Sequence, residues 1–229
     1  MPTTLGALRQ DVRNRLDEST SRFWTDSELN TWINEGCRDV SRRTETIQSF
    51  NTSLSTTQSV GKYLVPPDVI RIHRVEYKPF GTTNIYPVQA STYQEMDQVW
   101  GINQLTQTMS YAYNYVLWGF PPNLTMQLYP VPASTGDTIQ IFYYRLPRNL
   151  VNDTDIVEIP EGWWDLVPLY CEYVARRKDK DETWKDAKQL YDQTLDNMYQ
   201  MTRQWHDQAR AMTIGYNAVP EWLYGGLDF

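Results

Sequence analysis

The spacing of apolar residues changes period twice along this chain, and that change limits the fold more than any other feature. Up to about residue 48 apolar side chains recur at helical spacing, through the middle they alternate, and after Ile159-Pro160-Glu161 helical spacing returns. Helices at both ends around a run of strands predict an α+β protein. The expected layout is a helical bundle from residues 1–48 and 158–214, an inserted, mostly antiparallel β module at 49–157, and an extended arm at 215–229. A chain of 229 residues is long enough for one or two domains and a sizeable core.

The N-terminal segment predicts a helical hairpin. Leu5, Leu8, Val12 and Leu16 share one helical face, and Asp17 to Arg22 is a polar connection. The second helix carries a full start signal. Thr25 and Glu28 are spaced as a capping box, and Trp24 and Leu29 occupy the staple positions around it. Leu29, Trp32, Ile33, Gly36, Cys37 and Val40 follow on one face. Gly36 there leaves room for another helix to approach, and Cys37 reads as packing.

In the middle, Val60 to Val65 predicts a turn and a strand, and Val69 to Tyr77 a strand after the break at Pro66-Pro67. Ile85 to Val88 is a short strand that Pro87 should push to a sheet edge. Thr92 and Glu95 form a second capping box, opening a short helix to Trp100. Tyr113–Trp118, Leu124–Tyr129 and Ile139–Tyr144 complete the strands, separated by the turn chemistry of Pro121-Pro122 and Ser134 to Asp137.

Of the two C-terminal helices, the first has Trp163, Val167, Tyr170, Cys171 and Val174 on one face, with Pro168 near its start and Arg176-Arg177-Lys178 at its negative end. The last begins near Glu182. Trp184, Tyr191, Met198, Trp205 and Met212 recur every seven residues along it, a spacing suited to extended helix packing. A rod of about 45 Å is too long for this body to cover, so these five residues are assigned to packing between subunits. Beyond it, Pro220 and Gly225-Gly226 forbid regular structure. Tyr216, Val219, Trp222, Leu223, Tyr224, Leu227 and Phe229 nonetheless crowd into those last residues, so the tail either packs back onto its own fold or docks in a partner's groove, and the density of anchors favours the groove.

Composition narrows the function. Lys plus Arg number 21 against 28 Asp plus Glu, giving a net charge of −7, which opposes gripping nucleic acid through its phosphates. With two cysteines and two histidines, neither a disulfide framework nor a Cys₄ or His-rich metal site is expected. The start lacks the basic and apolar regions of a secretory signal, and no stretch suits a membrane span. The chain is therefore expected inside the cell at synthesis, with Cys37 and Cys171 reduced and the sequons at Asn51, Asn123 and Asn152 unused. No phosphate loop, nucleophile elbow or His-Glu-x-x-His motif occurs. His73 and His206 lack triad partners in sequence. Asp153, Asp155 and Glu158 lack the turn of a calcium loop, and no spacing pairs Glu35, Asp39, Glu161 or Asp165 as a glycosidase would. No enzyme and no cofactor are expected.

The run from Arg22 to Val40, Arg-Phe-Trp-Thr-Asp-Ser-Glu-Leu-Asn-Thr-Trp-Ile-Asn-Glu-Gly-Cys-Arg-Asp-Val, resembles the opening signature of tailed-phage head-to-tail adaptor proteins. In that family a segment of the form W-[ST]-D-x-E-L-x-x-W-I-N-E starts the second helix. Leu64-Val65-Pro66-Pro67-Asp68 and the strand after it look like the family's β segment. Ile159-Pro160-Glu161-Gly162-Trp163-Trp164 looks like its return to helix. The likeness is sharp over residues 22–43 and weaker over 159–200. It implies a ring, usually of twelve copies, below the portal protein of a DNA-filled capsid, in the virion neck after assembly from the host cytoplasm. Such a ring extends the DNA channel without sequence-specific binding and offers a surface to a tail or nozzle protein. It also implies that Gly215 to Phe229 is the portal-docking arm. An acidic chain suits a channel through which DNA slides. A second reading takes Tyr111, Tyr113, Tyr115 and Trp118 as a sugar-stacking surface of a carbohydrate- or receptor-binding β module. A third, a muralytic enzyme using Glu35 or Glu161, has less to support it.

Overall fold

In a computed structural model, which describes residues 3–18, 23–100 and 108–216 with side chains for all but 100, 202 and 204–216, capping chemistry sets the helix starts. The Thr4 hydroxyl accepts from the Ala7 amide at 3.3 Å to open α1 (Leu5–Arg15). Thr25 and Glu28 close the expected box at the head of α2 (Asp26–Thr44): the Thr25 amide donates to the Glu28 carboxylate at 3.1 Å and the Glu28 amide to the Thr25 hydroxyl at 3.3 Å. Thr92 and Glu95 repeat the pattern at 2.8 and 3.3 Å to open α3 (Tyr93–Trp100). Two helices follow late in the chain, α4 (Leu166–Lys178) and α5 (Trp184–Tyr216). The chain is α+β, with five helices and a curled mixed sheet among the described residues.

The chain divides into two compact units. The first holds α1, α2, α4 and α5 with residues 150–157. Here α4 packs against α1, α2 and α5. The apolar face read from the sequence is the buried face of α2, from Leu29 to Val40. Gly36 meets α4 closely: a Cβ built there would lie 3.0 Å from the Tyr170 ring. Pro168 sits in the first turn of α4, where its missing N–H breaks no helical bond. Trp163, expected on the α4 face, precedes the helix. Residues 150–157 read by pattern as part of the β module, but they join the helices instead. The Leu5 and Gly6 amides donate to the carbonyls of Asp155 and Asp153, both at 3.0 Å, and the Asn34 side chain bonds both backbone groups of Leu150.

Among the described residues the second unit contains α3 and nine strands: β1 (Gln48–Ser55), β2 (Lys62–Leu64), β3 (Val69–Lys78), β4 (Tyr86–Ala90), β5 (Thr108–Met109), β6 (Asn114–Trp118), β7 (Thr125–Tyr129), β8 (Val131–Pro132) and β9 (Thr138–Arg145). Seven make one sheet in the order β1-β9-β3-β4-β6-β7-β2, antiparallel except between β4 and β6, while β5 and β8 form a separate parallel pair. One face of the seven-stranded sheet curls around the core of the unit, which includes Tyr63, Val75, Tyr77, Val88, Tyr115, Met126, Leu128, Ile139 and Ile141. On the other face Met96 of α3 packs with Val116 and Tyr129.

One expectation is corrected here. β4 is central rather than an edge, and Pro87 fits because β6 pairs only with Gln89 and Ala90, so on that side the proline lies outside the ladder. β1 adds a strand that the sequence reading did not assign, because Thr and Ser dominate Asn51 to Ser59 and leave few apolar residues to mark the alternation.

The approach at Gly36 predicts that Gly36→Leu overpacks the contact with Tyr170 and destabilises the first unit by about 1–3 kcal/mol. Urea unfolding followed by tryptophan fluorescence measures it; an unchanged midpoint would mean that Tyr170 swings away freely.

Candidate partner-binding surfaces

The signature segment around Trp24 is occupied by packing and charge pairing within the chain. Arg13, reaching from α1, is almost fully buried; it donates to the Trp24 carbonyl at 3.1 Å and to Asp26 at 2.5 Å, and pairs with Glu18 at 3.4 Å. Glu18 in turn accepts from the amides of Phe23 and Trp24. From α4, Lys178 pairs with Glu28 and stands 5.3 and 5.5 Å over the rings of Trp24 and Trp32, which meet edge to face at 5.1 Å. Arg9 joins Asp153 at 2.8 Å and Asn30 at 3.2 Å.

The five residues assigned to packing between subunits divide. Tyr191 and Met198 are buried against their own chain, so they have no surface left for a neighbour. Tyr191 donates to Asp39 at 2.5 Å and packs against the rings of Tyr170 and Tyr173; burial and that carboxylate push its hydroxyl well above the ordinary tyrosine range. Trp184 is half-buried, with the Arg177 guanidinium 5.9 Å over its ring. Trp205 and Met212 lie on α5 beyond the last described side chain. The outward surface that spacing did not single out is Leu190, Tyr199 and Met201, exposed by 51, 41 and 53%. Leu190 and Met201, three turns apart, share a face.

The arm begins later than read. Gly215 and Tyr216 are the last residues of α5, because its backbone hydrogen bonding continues two residues past the expected end. Val219, Trp222, Leu223, Tyr224, Leu227 and Phe229 lie outside the described residues.

Of the sugar-stacking candidates, Tyr115 is in the core and Trp118, 68% exposed, faces the opposite way by strand alternation. Trp118 meets Tyr93 edge to face at 5.8 Å, whereas Tyr111 and Tyr113 cluster with Tyr86. The four therefore form no single platform.

The acidic candidates serve the fold. Asp153 holds Arg9, Asp155 accepts from the amides of Val151 and Asn152 at 2.7 and 2.8 Å, and Glu158 forms a two-point pair with Arg145 at 2.9 and 2.8 Å. Asp39 is bound to Tyr191, and Glu35, Glu161 and Asp165 are exposed on or beside helices. His73 is an exposed strand residue; the His206 side chain is not described. Both cysteines are buried and free, and burial pushes the Cys171 thiol up, away from its reactive form. Among the described residues no cluster of His, Cys, Asp or Glu could hold a metal ion, and no helix is long and apolar enough to cross a membrane.

What the described side chains show is packing and pairing within the chain. The chain matches the family model of the SU10 adaptor protein over residues 3–217 and belongs to that family, whose members are structural adaptors of phages. No curated protein matches it.

The clasp between Lys178 and Glu28 carries a pH signature. Lys178 first, then the Thr25 amide and hydroxyl, hold the Glu28 carboxyl at about 2 against an ordinary 4.5. On acidification the unfolded chain takes up this proton near pH 4.5 while the folded chain resists until about 2, so the stabilisation is complete above 4.5 and drains away across that window. Arg13 lowers Asp26 in the same direction. The melting temperature is expected to fall through the window in the native chain. In Lys178→Met it should already be lower at neutral pH and fall less steeply; an identical slope would place the acid sensitivity elsewhere.

Proposed function

We propose that this chain is the subunit of a head-to-tail adaptor: a ring of twelve copies below the portal protein, lengthening the DNA channel and giving a tail or nozzle protein its attachment surface. The observation that carries the reading is the family match along nearly the whole chain. In this reading the virion neck is its site of action, after assembly from the host cytoplasm, and DNA passes without sequence-specific contact. The net charge of −7 supports that passage, since an acidic wall repels phosphates instead of collecting them.

The helices of the first unit act as a bundled stem, with α5 as its longest member at about 50 Å for 33 residues. Leu190 and Met201 on its outward face, with Trp205 and Met212 further along, contact the adjacent copy. The residues after Tyr216 form the arm, and Val219, Trp222, Leu223, Tyr224, Leu227 and Phe229 anchor it in the portal. Exposed Trp118 and Phe120 on the second unit add to the contact surface.

Removing Asn217 to Phe229 tests the arm. The shortened chain should keep its melting temperature yet lose at least tenfold in affinity for portal-bearing capsids, measured by co-sedimentation; equal binding would overturn the arm's role. The free protein should form no stable rings before it meets the portal, and sedimentation velocity showing such rings would contradict assembly on the portal.

A further inference from the structure

We propose that Tyr86 and Tyr111 form an oxidative cross-linking site, at which a one-electron oxidant joins the two rings carbon to carbon as a dityrosine. Tyr86 opens β4, and Tyr111 lies in the segment between β5 and β6. Their rings stack with centroids 4.1 Å apart and planes 10° from parallel. Aromatic pairs ordinarily keep their centroids about 4.5–7 Å apart, so these faces are in unusually close contact.

The backbone on both sides of the pair is fixed. Tyr86 lies opposite Tyr77 in the ladder between β3 and β4, and Tyr111 packs against the core of the second unit. The Gln89 amide of β4 donates to the Tyr113 carbonyl at 2.8 Å, and the Tyr113 amide donates to the Tyr129 carbonyl at 2.8 Å. The strand carrying Tyr86 is thereby bonded directly to the segment carrying Tyr111. Both side chains are half-buried, so each keeps part of its surface open to a small oxidant.

Geometry selects this pair among the tyrosines. A tyrosyl radical carries much of its unpaired spin on the carbons beside the hydroxyl-bearing carbon. A bond between two such carbons forms perpendicular to the ring planes, so the rings must meet face to face. Tyr170 meets Tyr173 and Tyr191 at 81° and 74°, and Tyr111 meets Tyr113 at 63°; each of these contacts presents an edge to a face. Tyr173 and Tyr191 lie nearer to parallel, at 31°, but their centroids are 6.0 Å apart.

The step balances with two equivalents of oxidant. Each tyrosine gives up one electron and its phenolic proton, and the two radicals couple at their ortho carbons. Each joined carbon then loses its hydrogen as a proton, while a proton returns to each oxygen, so the pair loses two hydrogens in all. Two molecules of an outer-sphere oxidant, such as a ruthenium(III) complex, are each reduced by one electron, and water takes the two protons. The Tyr111 hydroxyl is hydrogen-bonded to that of Tyr113, which holds its pKa above the ordinary tyrosine value. Its electron therefore leaves together with a proton, and Tyr113, 41% exposed, offers that proton a first acceptor on the way to water. The new bond closes the stretch from 86 to 111, α3 included, into a covalent loop, which restricts the unfolded chain. The site lies wholly in the second unit and stands independently of the adaptor reading.

Photo-oxidation of the dilute full chain by a ruthenium complex with persulfate, followed by mass spectrometry of the monomer and of its proteolytic fragments, tests the proposal. The monomer should lose two hydrogens and gain dityrosine fluorescence, with the fragments bearing Tyr86 and Tyr111 joined. Tyr86→Phe and Tyr111→Phe, which keep the stacked rings but remove a phenol, should each lower the yield at least tenfold, whereas Tyr173→Phe should leave it unchanged. Fragment mapping on the native chain requires no variant to fold. Coupling only between chains, a cross-link mapped to another tyrosine pair, a native monomer that forms no dityrosine, or an undiminished yield in Tyr86→Phe would each overturn it.

Discussion

The buried guanidinium of Arg13 is the constraint on which the first unit turns. A charge almost fully removed from water must be matched, and its partners are Glu18, the Trp24 carbonyl and Asp26, all between the end of α1 and the start of α2. The angle of the helical hairpin is therefore set by charge pairing as well as by its apolar faces. The same knot orients Trp24, Trp24 and Trp32 receive Lys178 from α4, and Lys178 closes on the capping carboxylate Glu28. The capping box thus doubles as a tertiary tie. The run from Trp24 to Val40, which carries the resemblance to adaptor proteins, is thus made of caps, tryptophans and acids that bond inside the chain, and what it specifies is a joint.

Much of this was legible in sequence because it is local. A capping box needs two residues at fixed spacing, and both boxes form as read; the apolar face of α2 follows from periodicity alone. The partners of Arg13 and Lys178 were not legible, since pairings between distant elements leave no spacing signal. The sheet shows the same division. Its apolar strands stood out, but the polar β1 did not, because its place is set by pairing with β9 rather than by its own pattern. Pro87 misled for a related reason: proline excludes a ladder bond, and β4 is central in a sheet whose ladder on the β6 side is only two residues long.

On the candidate surfaces, the seven-residue repeat identified α5 correctly as a packing helix but could not say whose packing. Tyr191 and Met198 turned inward onto their own chain, while Leu190 and Met201, off the repeat, turned outward. A repeat reports that a face is apolar; which neighbour covers it is decided by the rest of the fold. The acids that resembled a calcium loop or a glycosidase pair are absorbed in the same way, most of them by hydrogen bonds and ion pairs that hold loop to helix, loop to strand or helix to helix.

A cryo-electron microscopy map of the portal complex formed with the full chain addresses the central claim most directly. The account predicts copies arranged around the portal's axis, each with its last thirteen residues, Asn217 to Phe229, traced into the portal. Density for the chain away from that axis, or a neck occupied by other proteins alone, would contradict it.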